Sequence, residues 1–145
     1  MYSDGRKMVT QRVLIVDDEA DVRKTLSDIL RAMRYPDPLA IEEAANGREG
    51  LDALVRQRPD LVLLDLQMPG MGGLALLKQI REAEPRLSVI VISATQENKL
   101  SAEALRNGAV AYLPKPFDPR HVEMLVTTFL DSSKPRPPKP IPGAR

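Results

Sequence analysis

Four short apolar runs in this sequence each lead into a residue capable of polar chemistry. Val13-Leu14-Ile15-Val16 runs into Asp17-Asp18-Glu19, and Leu61-Val62-Leu63-Leu64 runs into Asp65. Val89-Ile90-Val91-Ile92 runs into Ser93, and Val110-Ala111-Tyr112-Leu113 into Pro114-Lys115-Pro116. Carboxylates forced together repel one another and favour a divalent cation. Mg²⁺ is typically held by one or two carboxylates, retained waters and phosphate oxygens. A carboxylate beside Mg²⁺ can attack phosphorus and form an aspartyl-phosphate. Lys115 is a point charge suited to a phosphoryl oxygen, and the Ser93 hydroxyl can donate to another. Phosphoryl transfer needs mostly positioning and charge neutralisation, and this set supplies both.

Each residue taken singly has a plainer reading. An Asp or Glu after a strand ordinarily caps the next helix, which suits Asp18 or Glu19. Ser93 alone is a turn residue and Lys115 alone a solvated charge. The four run ends together favour a site, because independent caps and turns would not supply complementary chemistry.

The continuous apolar runs predict strands buried on both faces, as in a parallel sheet covered by helices. Leu39-Ala40-Ile41 is a weaker strand, second in order, and the run ending at Leu113 is the fifth. Helical faces lie between the strands. Val22, Leu26, Ile29, Leu30 and Met33 form the first; Leu51, Leu54 and Val55 mark a second, opening after the Asn46-Gly47 turn. Leu74, Leu77 and Ile80 mark a third, and Leu100, Ala104 and Leu105 a fourth that ends at an Asn107-Gly108 C-cap. Val122, Leu125, Val126, Phe129 and Leu130 mark the fifth. Five βα units with right-handed crossovers make a doubly wound α/β sheet, in which ligands bind beyond the strand C-termini.

Composition excludes several classes. The 145 residues fit one domain with a tail, and the absence of Cys removes disulfides, thiolate nucleophiles and zinc–thiolate sites. The formal charge of +1 argues against general nucleic-acid binding. No run approaches the ~20 apolar residues of a membrane span, and the polar N-terminus lacks an apolar signal core, so a soluble, cytoplasmic protein is expected. From residue 131 onward, four basic residues (Lys134, Arg136, Lys139, Arg145) face one acid, leaving a slightly acidic domain before a basic tail. Five of the 13 prolines also lie in that tail. The expected division is a disordered stretch over 1–8, a domain over 9–131 and an extended Pro-rich tail over 132–145.

These motifs together resemble the receiver domain of response regulators, particularly the stand-alone chemotaxis type. Those that carry the resemblance are Val13 to Glu19, Leu63-Leu64-Asp65-Leu66-Gln67-Met68-Pro69-Gly70, Val91-Ile92-Ser93-Ala94 and Gly108 to Phe117. The resemblance implies a five-stranded flavodoxin-like sheet in the order 2-1-3-4-5. It implies Asp65 as phosphoacceptor, and Asp17, Asp18, Asp65 and the Gln67 carbonyl as Mg²⁺ ligands. Ser93 becomes the switch hydroxyl, Lys115 the phosphoryl contact and Tyr112 the switch aromatic, which moves from exposed to buried as Ser93 is drawn to the phosphoryl group. The Lys115-Pro116 bond is expected to be cis. A histidine kinase, a histidine phosphotransfer protein or a small phosphodonor would supply the phosphoryl group. The output would be an unnamed protein target, with no direct DNA binding and no membrane insertion. Such a protein is a switch, not a conventional enzyme: it catalyses only its own phosphorylation and dephosphorylation.

Two departures stand out. Gly72 replaces an Asp common after the phosphoacceptor loop, and Tyr35-Pro36-Asp37-Pro38 lengthens the entry to the second strand. A competing reading is a Mg²⁺-dependent phosphohydrolase with an aspartyl nucleophile. Those enzymes want Asp-x-Asp after the first strand, whereas here Glu19 stands two places after Asp17. A third reading makes the tail a linker to an output domain; Pro135-Arg136-Pro137-Pro138 also fits a P-x-x-P ligand. Gly70, Gly72 and Gly73 fit neither dinucleotide nor Walker fingerprint and read as turn residues. His121, the single His, reads as a solvated helix residue. Gln67 and Thr95, each two places past a key residue, would flank the hydrolytic water.

Overall fold

In the computed structural model, residues 9–94 and 98–133 are described. The expected disordered N-terminal stretch, Thr95 and the tail from Lys134 lie outside them. The order is β1 (Gln11–Val16), α1 (Ala20–Ala32), β2 (Leu39–Ala44), α2 (Gly47–Arg56), β3 (Leu61–Asp65), α3 (Gly73–Ala83), β4 (Ser88–Ser93), α4 (Asn98–Arg106), β5 (Ala111–Pro114) and α5 (Pro119–Ser133). The strands are all parallel and lie in the order β2-β1-β3-β4-β5. This is the expected α/β architecture. α5 continues through Ser132 and Ser133, residues that composition assigned to the tail.

Strand alternation divides the core between two layers. Leu14, Val16, Val62, Leu64, Val89 and Val91 face one side, where Leu54, Leu76, Leu77, Ile80 and Ala104 of α2, α3 and α4 cover them. Val13, Ile15, Leu61, Leu63, Ile90 and Ile92 face the other, under Leu26, Leu30, Val122, Val126 and Leu130 of α1 and α5. Both faces of the central strands are therefore apolar, and their sequence reads as unbroken runs. The burial forces Asp17, Asp65 and Ser93 into register along one sheet edge.

Two helical faces differ from their sequence reading. Val55 is 83% exposed, and α2 instead buries Gly47, Gly50, Ala53 and Leu54. One residue further turns the helix by about 100°, so Val55 leaves the face that Leu54 occupies. The glycines allow close approach: a Cβ at Gly50 would lie 3.2 Å from Val16 Cγ2. Gly47 is itself helical, with Asn46 as N-cap accepting from Glu49 N at 2.9 Å. On α4, Leu105 is largely exposed and Ala104 makes the core contact. That helix closes as expected, with Gly108 at φ +98° and Ala109 N–H donating to Ala104 O at 3.0 Å.

β2 is longer than Leu39-Ala40-Ile41. Glu42 and Glu43 extend it along the sheet's edge, pairing with Arg56 and Arg23 respectively. No described helix is long and apolar enough to cross a membrane.

Candidate functional site

The site forms where β1, β3, β4 and β5 end. Val16 pairs with Leu64 in the β1–β3 ladder, which puts Asp17 beside Asp65 one step on. Asp65 pairs with Ile92, and Leu66 N–H donates to Ile92 O at 2.9 Å. Ser93 pairs with Pro114, and Lys115 N–H donates to Ser93 O at 3.0 Å. The sheet thus brings Asp17, Asp65, Ser93 and Lys115 to neighbouring positions. The Lys115-Pro116 peptide is cis.

Asp17, Asp65 and Ser93 are buried, whereas Asp18 and Glu19 are exposed. Asp17 Oδ1 accepts from Glu19 N at 2.8 Å, and Asp65 Oδ1 from Gln67 N at 3.0 Å. Each buried carboxylate is aimed by the backbone two residues on, leaving its second oxygen toward the crevice. Lys115 Nζ lies 3.3 Å from Asp17 Oδ2, 3.9 Å from Asp65 Oδ2 and 3.7 Å from Glu19 Oε1. Burial pushes the Asp65 carboxyl up to about 6. Repulsion from Asp17 and Asp18 adds to that rise, against the Gln67 N–H and the Lys115 ammonium. Burial likewise raises Asp17, against the Glu19 N–H and Lys115. Burial pulls Lys115 down, but Asp17, Asp65 and Glu19 outweigh it and hold the ammonium above its ordinary value.

This arrangement suits a hard divalent cation. The ligand atoms of Asp17, Asp18 and Glu19 lie within 4.8 Å of one another. Asp17 Oδ2 is a buried acceptor with no hydrogen-bond donor aligned on it, despite its ion pair with Lys115. An all-oxygen set with spare lone pairs is the chemistry that Mg²⁺ favours.

Tyr112 is half-buried on β5, packed against the core layer that α2, α3 and α4 cover. Gln67 presents an exposed side chain after β3. His121 is half-buried on the first turn of α5. Three residues gain importance that sequence reading did not assign. Glu19 reaches Lys115, and its place in the Asp17-Asp18-Glu19 run was the available signal. Arg23 bonds the Asp17 carbonyl from α1, and Gly73 packs on the Asp65 backbone. Nothing in a single sequence marks either of these last two.

A five-stranded 2-1-3-4-5 sheet with acidic and basic groups on its C-terminal edge is the flavodoxin-like class of α/β domain, whose ligands bind at that edge. Residues 13–127 match the response regulator receiver domain, and the chain belongs to that family. Its members act as phosphoacceptor switches in two-component signalling rather than as conventional enzymes. The chain is 34% identical to sporulation initiation phosphotransferase F of Bacillus subtilis over 123 residues, covering 85% of this chain and 96% of that protein. It is 38% identical to the chemotaxis protein CheY of Thermotoga maritima over 112 residues, covering 77% and 91% respectively. It also matches the DNA-binding transcriptional regulator NtrC of Escherichia coli at 38%, but there spans only 26% of the relative's length. Among solved structures, the receiver domain of NtrX from Brucella abortus superposes with a TM-score of 0.77 at 30% identity. That match covers 83% of this chain and 98% of that one.

Proposed function

We propose that this protein is a response regulator whose receiver domain accepts a phosphoryl group on Asp65 with Mg²⁺ and thereby switches a protein-binding surface. The observation that carries this reading is the convergence of Asp17, Asp65 and Lys115 on one crevice, with Lys115 Nζ within 3.9 Å of both buried carboxylates. Asp65 Oδ2 attacks phosphorus. The P–N bond of a phosphohistidine, or the P–O bond of an acyl phosphate, breaks, and the leaving group takes the bonding pair. Asp17, Asp18, Asp65 and the Gln67 carbonyl would hold Mg²⁺, which neutralises phosphoryl charge when bound. Lys115 pairs with a phosphoryl oxygen and Ser93 donates to another. The displacement of Ser93 lets Tyr112 move inward and remodels the β4–α4–β5 face, a local charge event biasing a bistable element. A histidine kinase or histidine phosphotransfer protein is the donor and the cytoplasm the compartment. A groove lined by Asp21, Val22, Thr25, Lys115, Pro116 and Phe117 opens beside the site, where a protein donor has apolar surface to rest on.

The deciding experiment is incubation with a radiolabelled acyl phosphate and Mg²⁺. Label labile in alkali, dependent on the metal and mapping to Asp65 is the expected result. An acid-stable label on another residue would sink the assignment, and multiple turnover on phosphate monoesters would favour the phosphohydrolase instead.

Two further outcomes arise from the same site. Mg²⁺ at a hundredfold above its Kd should stabilise the fold by about 2.7 kcal/mol. Protons compete for carboxylates already raised by burial, so this gain should be present at pH 7.5 and fade as pH falls below about 6. Thermal melts with and without Mg²⁺ at both pH values check it. Lys115→Ala should slow phosphorylation about tenfold or more while tightening Mg²⁺ binding. The ammonium stabilises transferring charge but also occupies the carboxylates that the cation needs. Calorimetric titration showing unchanged or weaker Mg²⁺ binding would contradict that competition.

A further inference from the structure

We propose that Arg23 is a positioning residue which, through the Asp17 carbonyl, sets how the Asp17 and Asp18 carboxylates are presented to a divalent cation. The inference rests on the Mg²⁺-assisted phosphoacceptor reading above and extends it to a residue outside the crevice.

Arg23 stands in the first turn of α1, and its side chain is only 17% exposed. Its Nη1 donates to Asp17 O at 2.7 Å. Its Nε donates to Glu43 Oε1 at 3.1 Å, and the other oxygen of that carboxylate accepts from Ser27 Oγ at 3.2 Å. The guanidinium therefore joins three elements: the β1–α1 corner, α1 and edge strand β2.

The bonded carbonyl is a particular one. It belongs to the peptide that links Asp17 to Asp18, so its orientation sets the relative directions of the Cα–Cβ bonds from which the two carboxylates project. Asp17 is also held by its own N–H, which donates to Ala44 O at 3.1 Å, and by the Glu19 N–H on Oδ1. Asp18 is exposed, so the peptide plane behind it governs its aim. Arg23 holds that plane with a charge-assisted bond, and Glu43 with Ser27 holds Arg23. Loosening such a support around ligating residues typically weakens metal affinity by about 10-fold or more.

The sign of the effect separates positioning from plain electrostatics. Arg23 is a cation near a cation site, so through charge alone its removal should tighten Mg²⁺ binding. Through positioning it should weaken it. Arg23→Lys keeps the charge and most of the stem but loses the planar fork that reaches the carbonyl and Glu43 together.

The test is calorimetric Mg²⁺ titration of the full chain carrying Arg23→Ala, Arg23→Lys or Glu43→Gln, with circular dichroism to verify the fold. The expected result is about 10-fold weaker binding for both Arg23 variants and a smaller loss for Glu43→Gln, which keeps the carbonyl bond. Arg23→Ala binding as tightly as the parent, or tighter, would overturn the proposal. So would full retention of affinity in Arg23→Lys, which would show that the planar fork joining the Asp17 carbonyl to Glu43 is not what presents the carboxylates. Failure of the unchanged chain to bind Mg²⁺ would instead count against the phosphoacceptor reading, so the two failures are distinguishable.

Discussion

Asp65→Asn should abolish metal-dependent phosphoryl labelling, with at least a 100-fold loss, and should also make the metal-free protein more stable at neutral pH. The first effect follows from loss of the nucleophilic oxygen pair. The second follows from what the fold does to the carboxylate. Burial, with Asp17 and Asp18 adding repulsion, holds Asp65 at about 6 against an ordinary 3.8. The folded state therefore binds this proton more tightly than the unfolded chain does. The associated stability is fully present below about pH 4 and is lost as pH rises through about 6. At pH 7.5 the ionised, buried carboxylate costs the fold up to about 3 kcal/mol. Asn removes the charge and keeps an oxygen to accept from Gln67 N. The melting temperature of Asp65→Asn should exceed the parent's at pH 7.5 without Mg²⁺, by about 4 °C per kcal/mol. The advantage should shrink steadily toward pH 4. An equal shift at every pH would mean that packing, not charge, explains the variant. Saturating Mg²⁺ should close the gap at pH 7.5, because the parent gains a ligand that the variant holds poorly.

The same burial explains how much of this protein could be read directly. β1, β3 and β4 have helices over both faces, so their positions are written as uninterrupted aliphatic runs, and the polar residue ending each run is conspicuous. That made the sheet and Asp17, Asp65 and Ser93 legible together. β2 lies at the edge, where Glu42 and Glu43 are half-buried or exposed and find Arg partners, so its second half does not look like a strand. Val55 misled because spacing alone does not say where a helical face is centred. The centre of α2 is marked by small residues, Gly47, Gly50 and Ala53, which apolar periodicity ignores. Arg23 and Gly73 were hidden for a related reason. Their roles are contacts with the backbone across the turn that precedes their helix, and no side-chain pattern encodes a carbonyl.

Gly73→Ala should reverse the usual sign of a helical Gly→Ala change. In an ordinary helix the replacement gains about 0.5–1 kcal/mol. Gly73 opens α3, but a Cβ there would lie 2.1 Å from Asp65 O, 2.5 Å from Leu66 Cα and 2.8 Å from Asp65 C. All three are main-chain atoms, so no rotamer change relieves the overlap. Either α3 backs away, opening the layer beneath Leu76 and Leu77, or the loop after β3 shifts and carries Asp65 with it. Leu66 N–H is tied to Ile92 O across the sheet, which resists the second response. Overpacking of this kind costs about 1–3 kcal/mol. Strain against backbone places the expected loss at the upper end, with phosphorylation slowed about tenfold because the attacking carboxylate is displaced. The adjacent residue supplies the contrast. Gly72 is the N-cap of α3 at φ −68°, and a Cβ there meets nothing within 4 Å. Gly72→Asp would restore a capping side chain and should stabilise by a few tenths of a kcal/mol, leaving the phosphorylation rate unchanged. Denaturant titration of the two variants should thus move the midpoint in opposite directions. A Gly73→Ala protein within about 0.5 kcal/mol of the parent, and phosphorylated as fast, would show that the α3 entrance yields without moving Asp65.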